Sequence, residues 1–121
     1  MLRVGDLQRS IDFYTRVLDM KLLRTTERPD QKYSLAFVGY GTNPDHAEIE
    51  LTYNHGVDSY ELGTGYNHIA VTVEDLDGTL GRLSDKGIDP EKPPYQVREG
   101  GSRICFVRDP DGYRIELIEK G

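Results

Sequence analysis

The sequence predicts an α+β chain built from two βαβββ modules with pseudo-twofold symmetry, and three observations carry that reading. A strand-then-helix opening occurs twice, an apolar strand follows it in both halves, and each half closes on the tripeptide Ile-Glu-Leu. At 121 residues the chain has the length of a single domain able to bury a core, with the two modules at about 1–55 and 66–121.

The first module opens with Val4-Gly5-Asp6-Leu7, and apolar residues then recur at Leu7, Ile11, Tyr14 and Leu18. That i, i+4, i+7 spacing predicts a helix, with Asp6 as its N-cap. A short strand is expected near residues 20–24, and the run from Tyr33 to Gly39 reads as an apolar strand. A loose connection from Gly41 to Asp45 leads into the closing strand at residues 47–52.

The second module begins with a strand from His68 and repeats the opening as Val73-Glu74-Asp75-Leu76, followed by Leu80 and Leu83. Asp75 is the expected N-cap and Gly87 the C-terminal stop. Residues 89–94, with three prolines, resist regular structure and read as a loop, and a weak strand is expected near Gln96 to Arg98. The strand at residues 103–107 joins the last one through Asp109-Pro110-Asp111-Gly112, where Pro at i+1 and Gly at i+3 fit a type I turn.

Composition narrows the function. The formal charge of -6 provides no basic field for a nucleic acid, and no apolar run is long enough to span a membrane. The start shows no secretory or transit signal, so a cytoplasmic protein is expected. The lone Cys105 lies in an apolar strand pattern and reads as a packed thiol rather than a nucleophile.

Candidate chemistry comes from the faces of the strands. A period of two puts His68, Ala70 and Thr72 on one face, and turns Glu48, Glu50 and Thr52 away from Ile49, Leu51 and Tyr53. Glu116 likewise faces away from Ile115 and Leu117. A glutamate between two aliphatics is ordinarily just a solvated face. Here Glu50 and Glu116 are repeat-equivalent, so a pseudo-twofold brings them together with His68 nearby. One imidazole and two carboxylates form a donor set for a divalent cation such as Zn, Ni, Co or Fe. Aligning Asp75-Leu76 with Asp6-Leu7 sets the copies 69 residues apart, which puts the equivalent of His68 two residues before Met1. Three of four symmetric ligand positions are therefore expected in the chain. His46 and His55 have no repeat partners and read as surface residues.

The runs Met1-Leu2-Arg3-Val4-Gly5-Asp6-Leu7, Ser10-Ile11-Asp12-Phe13-Tyr14, Ser34-Leu35-Ala36-Phe37-Val38-Gly39-Tyr40-Gly41, Ile49-Glu50-Leu51-Thr52-Tyr53-Asn54, Gly63 to Ala70 and Asp109-Pro110-Asp111-Gly112-Tyr113 resemble bacterial glyoxalase I, of the vicinal oxygen chelate superfamily. The resemblance covers nearly the whole chain. It implies isomerisation of the methylglyoxal-glutathione hemithioacetal to S-D-lactoylglutathione by proton transfer through a metal-held enediolate, a route that detoxifies methylglyoxal. It implies Glu50, His68 and Glu116 as metal ligands, Glu116 as principal base and Glu50 as the opposing carboxylate. The fourth ligand of bacterial relatives is a histidine two residues ahead of the Met-Leu-Arg-Val run, and its loss is expected to leave water in its place, weaken metal affinity or disable catalysis. Arg3 and Asn54 fall on positions that contact glutathione, and Arg98, beside Gly100-Gly101, on a basic loop residue near a substrate carboxylate. The compact length favours nickel or cobalt over zinc, and a homodimer with the active site at the subunit interface is implied.

Two rival readings stay open on the sequence. One is another vicinal oxygen chelate enzyme, a dioxygenase or a thiol transferase, although those commonly use two histidines and one glutamate. The other is a sequestering module without catalysis.

Overall fold

A computed structural model describes residues 1–121. The chain divides into two compact units, Met1–Glu61 and Leu62–Gly121. In unit 1, β1 (Leu2–Arg3) leads into α1 (Leu7–Asp12), which continues as a π-helical turn over Phe13–Val17. Strands β2 (Lys21–Arg28), β3 (Tyr33–Gly39) and β4 (Glu48–Asn54) follow. Unit 2 repeats the plan with β5 (Ile69–Val73), α2 (Leu76–Asp85), β6 (Tyr95–Gln96), β7 (Arg103–Arg108) and β8 (Arg114–Glu119). The sheet orders are β1-β4-β3-β2 and β5-β8-β7-β6, with the first and last strands of each unit parallel and the other pairs antiparallel.

Both predicted N-caps form. Asp6 Oδ1 accepts the Arg9 N–H and Asp75 Oδ1 accepts the Gly78 N–H, each at 3.0 Å, satisfying amides that the first turn of a helix leaves without partners. Gly87, at φ +76°, ends α2 in the left-handed region. The first helix departs from a simple 3.6-residue period. Phe13, Tyr14, Val17 and Leu18 are all buried, and adjacent large side chains do not fit one narrow α-helical stripe. The π-helical turn, closed by the Leu18 N–H on the Phe13 carbonyl at 3.2 Å, widens the buried face enough to take them.

The strands follow the expected alternation with four differences. Leu51, Ile115 and Leu117 are fully buried and Glu50 and Glu116 half-buried, but Thr52, expected on the outer face, is buried as well. Its hydroxyl is satisfied there by Glu50 Oε2 at 3.2 Å. The fifth strand begins at Ile69, with His68 immediately ahead of it. The second strand is longer than residues 20–24, because its antiparallel register with β3 persists to Arg28 opposite Tyr33. The sixth strand stops at Gln96: Arg98 lies in a turn where the Gly101 N–H reaches the Arg98 carbonyl at 3.1 Å and Gly100 takes φ +78°.

The turn before β8 is built on Asp109, a buried carboxylate whose Oδ1 accepts the N–H groups of Asp111 and Tyr113, both at 2.9 Å. The Gly112 N–H closes it on the Asp109 carbonyl at 3.0 Å. In unit 1 the chain passes so close to itself that a Cβ at Gly5 would lie 2.1 Å from the Asp58 carbonyl oxygen. Only a residue without a side chain fits beside that backbone atom. Gly5→Ala is therefore expected to destabilise the protein by about 1–3 kcal/mol, the cost of overpacking. The change would appear as a lower urea midpoint at unchanged slope.

Candidate metal and proton-transfer site

In unit 2 the parallel register sets Ala70 beside Glu116 on β8, a strand flanked on both sides. His68 stands two residues before Ala70, and its Nε2 lies 3.0 Å from Glu116 Oε1. These side chains are 32% and 17% exposed, so the pair is partly withdrawn from water yet reachable. The other ring nitrogen, Nδ1, is hydrogen-bonded to Asn67 Oδ1. Phe106, directly cross-strand from Glu116, packs edge-on against the imidazole at 5.1 Å between centroids. The Arg114 guanidinium lies 3.8 Å from the centroid of the same ring and makes two hydrogen bonds to Glu91, of 2.8 and 2.9 Å.

Unit 1 presents Glu50 on β4, also a flanked strand, directly cross-strand from Phe37. Arg24 lies 4.0 Å from the Phe37 centroid and pairs with Glu48 at 2.8 Å. The two units thus repeat one arrangement with the charges exchanged. Two residues before Glu50 stands an acid paired with an arginine from another strand; two residues before Glu116 stands an arginine paired with an acid from the 89–94 loop. Both acids are held below the ordinary carboxylate range. For Glu48 the main cause is the Asn43 backbone N–H on Oε2 at 3.0 Å, with burial opposing and Arg24 assisting. For Glu91 it is the hydrogen bonds from Arg114.

Within one unit the structure brings together His68 and Glu116. In neither unit do three His, Cys, Asp or Glu side chains gather as a metal-binding group. Arg3 lies on β1, cross-strand from Thr52, and the Asn54 amide donates to the Tyr60 hydroxyl at 3.1 Å. Arg98 is exposed in its turn in unit 2. His46 is exposed, and His55, also exposed, has its Nε2 2.8 Å from the Ser34 hydroxyl. Cys105 is fully buried on β7, and burial pushes its thiol pKa up. Sequence reasoning missed Asn67, which adjoins His68 in the chain, and Phe106, Arg114 and Glu91, which reach the site through the β7–β8 register and the 89–94 loop.

Each unit carries a carboxylate on a flanked strand, in the second beside a histidine. The chain belongs to the Glyoxalase/Bleomycin resistance protein/Dioxygenase superfamily, whose model matches residues 1–117. It is 59% identical over 120 residues to the lactoylglutathione lyase of Shigella flexneri, covering 99% of this chain and 89% of that protein. It is 55% identical over 119 residues to that of Haemophilus influenzae, covering 98% and 88%. Among solved structures it is similar to glyoxalase I from Zea mays, with a TM-score of 0.91 and 44% identity. There it covers 98% of this chain but spans only 42% of the maize chain. A trypanothione-dependent glyoxalase I from Leishmania major matches with a TM-score of 0.84 and 44% identity, covering 98% and 82%. No helix of the chain is long and apolar enough to cross a membrane.

The lowered carboxyl of Glu91 gives a pH test. A group whose folded-state pKa lies below its unfolded value, ordinarily near 4.5, contributes stability that is complete above that value and lost as pH falls through the folded one. Glu91→Gln is expected to be less stable than the unmodified protein at neutral pH and to lose less stability between about pH 5 and 3. Urea denaturation across that range measures both.

Proposed function

We propose that this chain isomerises the hemithioacetal of methylglyoxal and glutathione to S-D-lactoylglutathione. The single observation that carries the reading is the convergence of His68 Nε2 and Glu116 Oε1 at 3.0 Å on the β5–β8 pair. The lactoylglutathione lyases to which the chain is similar over nearly its whole length support it.

The donor chemistry fits a divalent metal. Nitrogen from one imidazole and oxygen from carboxylates suit borderline ions, and a ligating histidine ordinarily has its second ring nitrogen hydrogen-bonded, as His68 has to Asn67. Glu50, His68 and Glu116 would hold it, with nickel or cobalt favoured and zinc possible. When bound, such an ion polarises the substrate oxygens and stabilises negative charge developing on them. Glu116 removes the proton from one substrate carbon and returns it to the neighbouring one, while the hydroxyl proton passes from the oxygen of the first carbon to that of the second, with Glu50 as the opposing carboxylate. Arg3, Asn54 and Arg98 bind the glutathione part, the arginines through its carboxylates and Asn54 through its amides. The two units form one domain, and the protein works in the cytoplasm as a homodimer with its site at the subunit interface.

The test is isomerase activity of metal-free protein supplemented with Ni²⁺, Co²⁺ or Zn²⁺, alongside Glu116→Gln. Activity should depend on added metal and be abolished by chelation. The variant should lose roughly 10²- to 10⁴-fold in kcat, the range for a general base, while its metal content per chain stays unchanged. Full activity in Glu116→Gln would show that another group moves the proton, and inactivity with every metal would reject the reaction itself.

A further inference from the structure

His68 has two ring nitrogens, and the one turned away from Glu116 is placed with as much definition as the one facing it. Asn67 Oδ1 accepts at Nδ1, and the same oxygen accepts from Arg114 Nη1 at 3.3 Å. A guanidinium can only donate, so the Arg114 contact determines which end of the Asn67 amide faces the imidazole. Arg114 is itself fixed: Nε donates to Glu91 Oε2 at 2.8 Å, Nη2 to Glu91 Oε1 at 2.9 Å, and the guanidinium lies on the Phe106 ring. The Glu91 N–H in turn bonds to the Phe106 carbonyl at 2.9 Å, tying the 89–94 loop to the strand that carries the ring. With an acceptor at Nδ1, a neutral imidazole carries its proton there and presents the Nε2 lone pair to the Glu116 carboxylate. Two lone-pair groups at 3.0 Å repel unless a proton or a cation stands between them.

We propose that Asn67 is a positioning residue: its side-chain oxygen, oriented by Arg114, holds His68 in the Nδ1–H tautomer, so that Nε2 is offered to the divalent cation shared with Glu116. This rests on the metal reading of His68 and Glu116 given above. Asn67 touches neither metal nor substrate in this scheme and acts through the histidine alone. Because the acceptor is a neutral amide, it orders the ring without adding negative charge to the site.

The experiment uses Zn²⁺, a diamagnetic ion, titrated into the metal-free full-length chain, its Asn67→Ala variant and its Asn67→Asp variant. Two quantities are read: affinity by competition with a chromophoric chelator, and the imidazole Nδ1 proton resonance of the zinc-loaded protein. Asn67 is exposed, so the variants should keep the amide fingerprint of the unmodified fold. Asn67→Ala is expected to bind Zn²⁺ roughly 10- to 100-fold more weakly and to lose the Nδ1 proton signal to solvent exchange. Asn67→Asp, which keeps an acceptor oxygen in place, should recover both. Unchanged affinity in Asn67→Ala overturns the positioning role and leaves the metal reading standing. A loss that Asn67→Asp does not recover overturns it too, since an acceptor at Nδ1 would then not be what the site needs. No zinc binding by the unmodified chain would remove the metal reading and the positioning role with it.

Discussion

Everything at the candidate site depends on the parallel pairing that joins the first and last strands of each unit. Leu2 pairs with Leu51 in one and Val71 with Leu117 in the other, which places β4 and β8 inside their sheets instead of at an edge. A carboxylate on an edge strand would sit beside unpaired backbone groups and water. On its flanked strand Glu116 has a registered neighbour on each side, Ala70 and Phe106, while Glu50 has Phe37 on one side and lies next to Leu51, where the short β1 begins to pair. Phe37 and Phe106 are cross-strand from the two glutamates because the β3–β4 and β7–β8 registers put them there. The His68 contact follows in the same way from the alignment of Ala70 with Glu116.

Stability and placement are supplied by different parts of the structure. The apolar undersides of the sheets, with Val38, Leu51, Val107, Ile115 and Leu117 fully buried, contribute about 1.5–3 kcal/mol per large side chain removed from water. The Arg114–Glu91 pair is partly exposed, at 28% and 32%, and pairs open to water contribute on the order of 0–1 kcal/mol; in the Arg24–Glu48 pair the arginine is 52% exposed and the carboxylate only 6%. Their importance is geometric. Arg24 on Phe37 and Arg114 on Phe106 each occupy one face of an aromatic ring next to a candidate carboxylate, restricting the orientations that ring can take. The exchange of acid and base between the units leaves this packing intact while giving the two glutamates opposite charges two residues away.

Much of the fold was legible because its signals are local. Asp6 and Asp75 as N-caps, Gly87 as a stop, the 109–112 turn and the two Ile-Glu-Leu strands are each readable from a few consecutive residues. The π-helical turn was not, since a 3.6-residue period describes Ile11, Tyr14 and Leu18 well and says nothing of how adjacent Phe13 and Tyr14 are both accommodated. The end of β6 was misjudged because Arg98 looks compatible with a strand until the turn through Gly100 is formed. At the site, Glu50, His68 and Glu116 stood out by repetition and alternation. Asn67, Arg114 and Glu91 did not, because residues far apart in sequence meet through register and a loop, and no periodicity marks an asparagine ahead of a histidine.

The burial of Cys105 gains meaning beside the proposed substrate. Methylglyoxal is an electrophile, and the addition that joins it to the glutathione thiol would take place equally at an exposed thiolate of the protein. The sole cysteine of the chain is fully buried, its Sγ donates to the Lys92 carbonyl at 3.5 Å, and burial disfavours its ionised, nucleophilic form. An enzyme that works in a reactive dicarbonyl must resist being consumed by it. For the thiol, that protection comes from packing on β7.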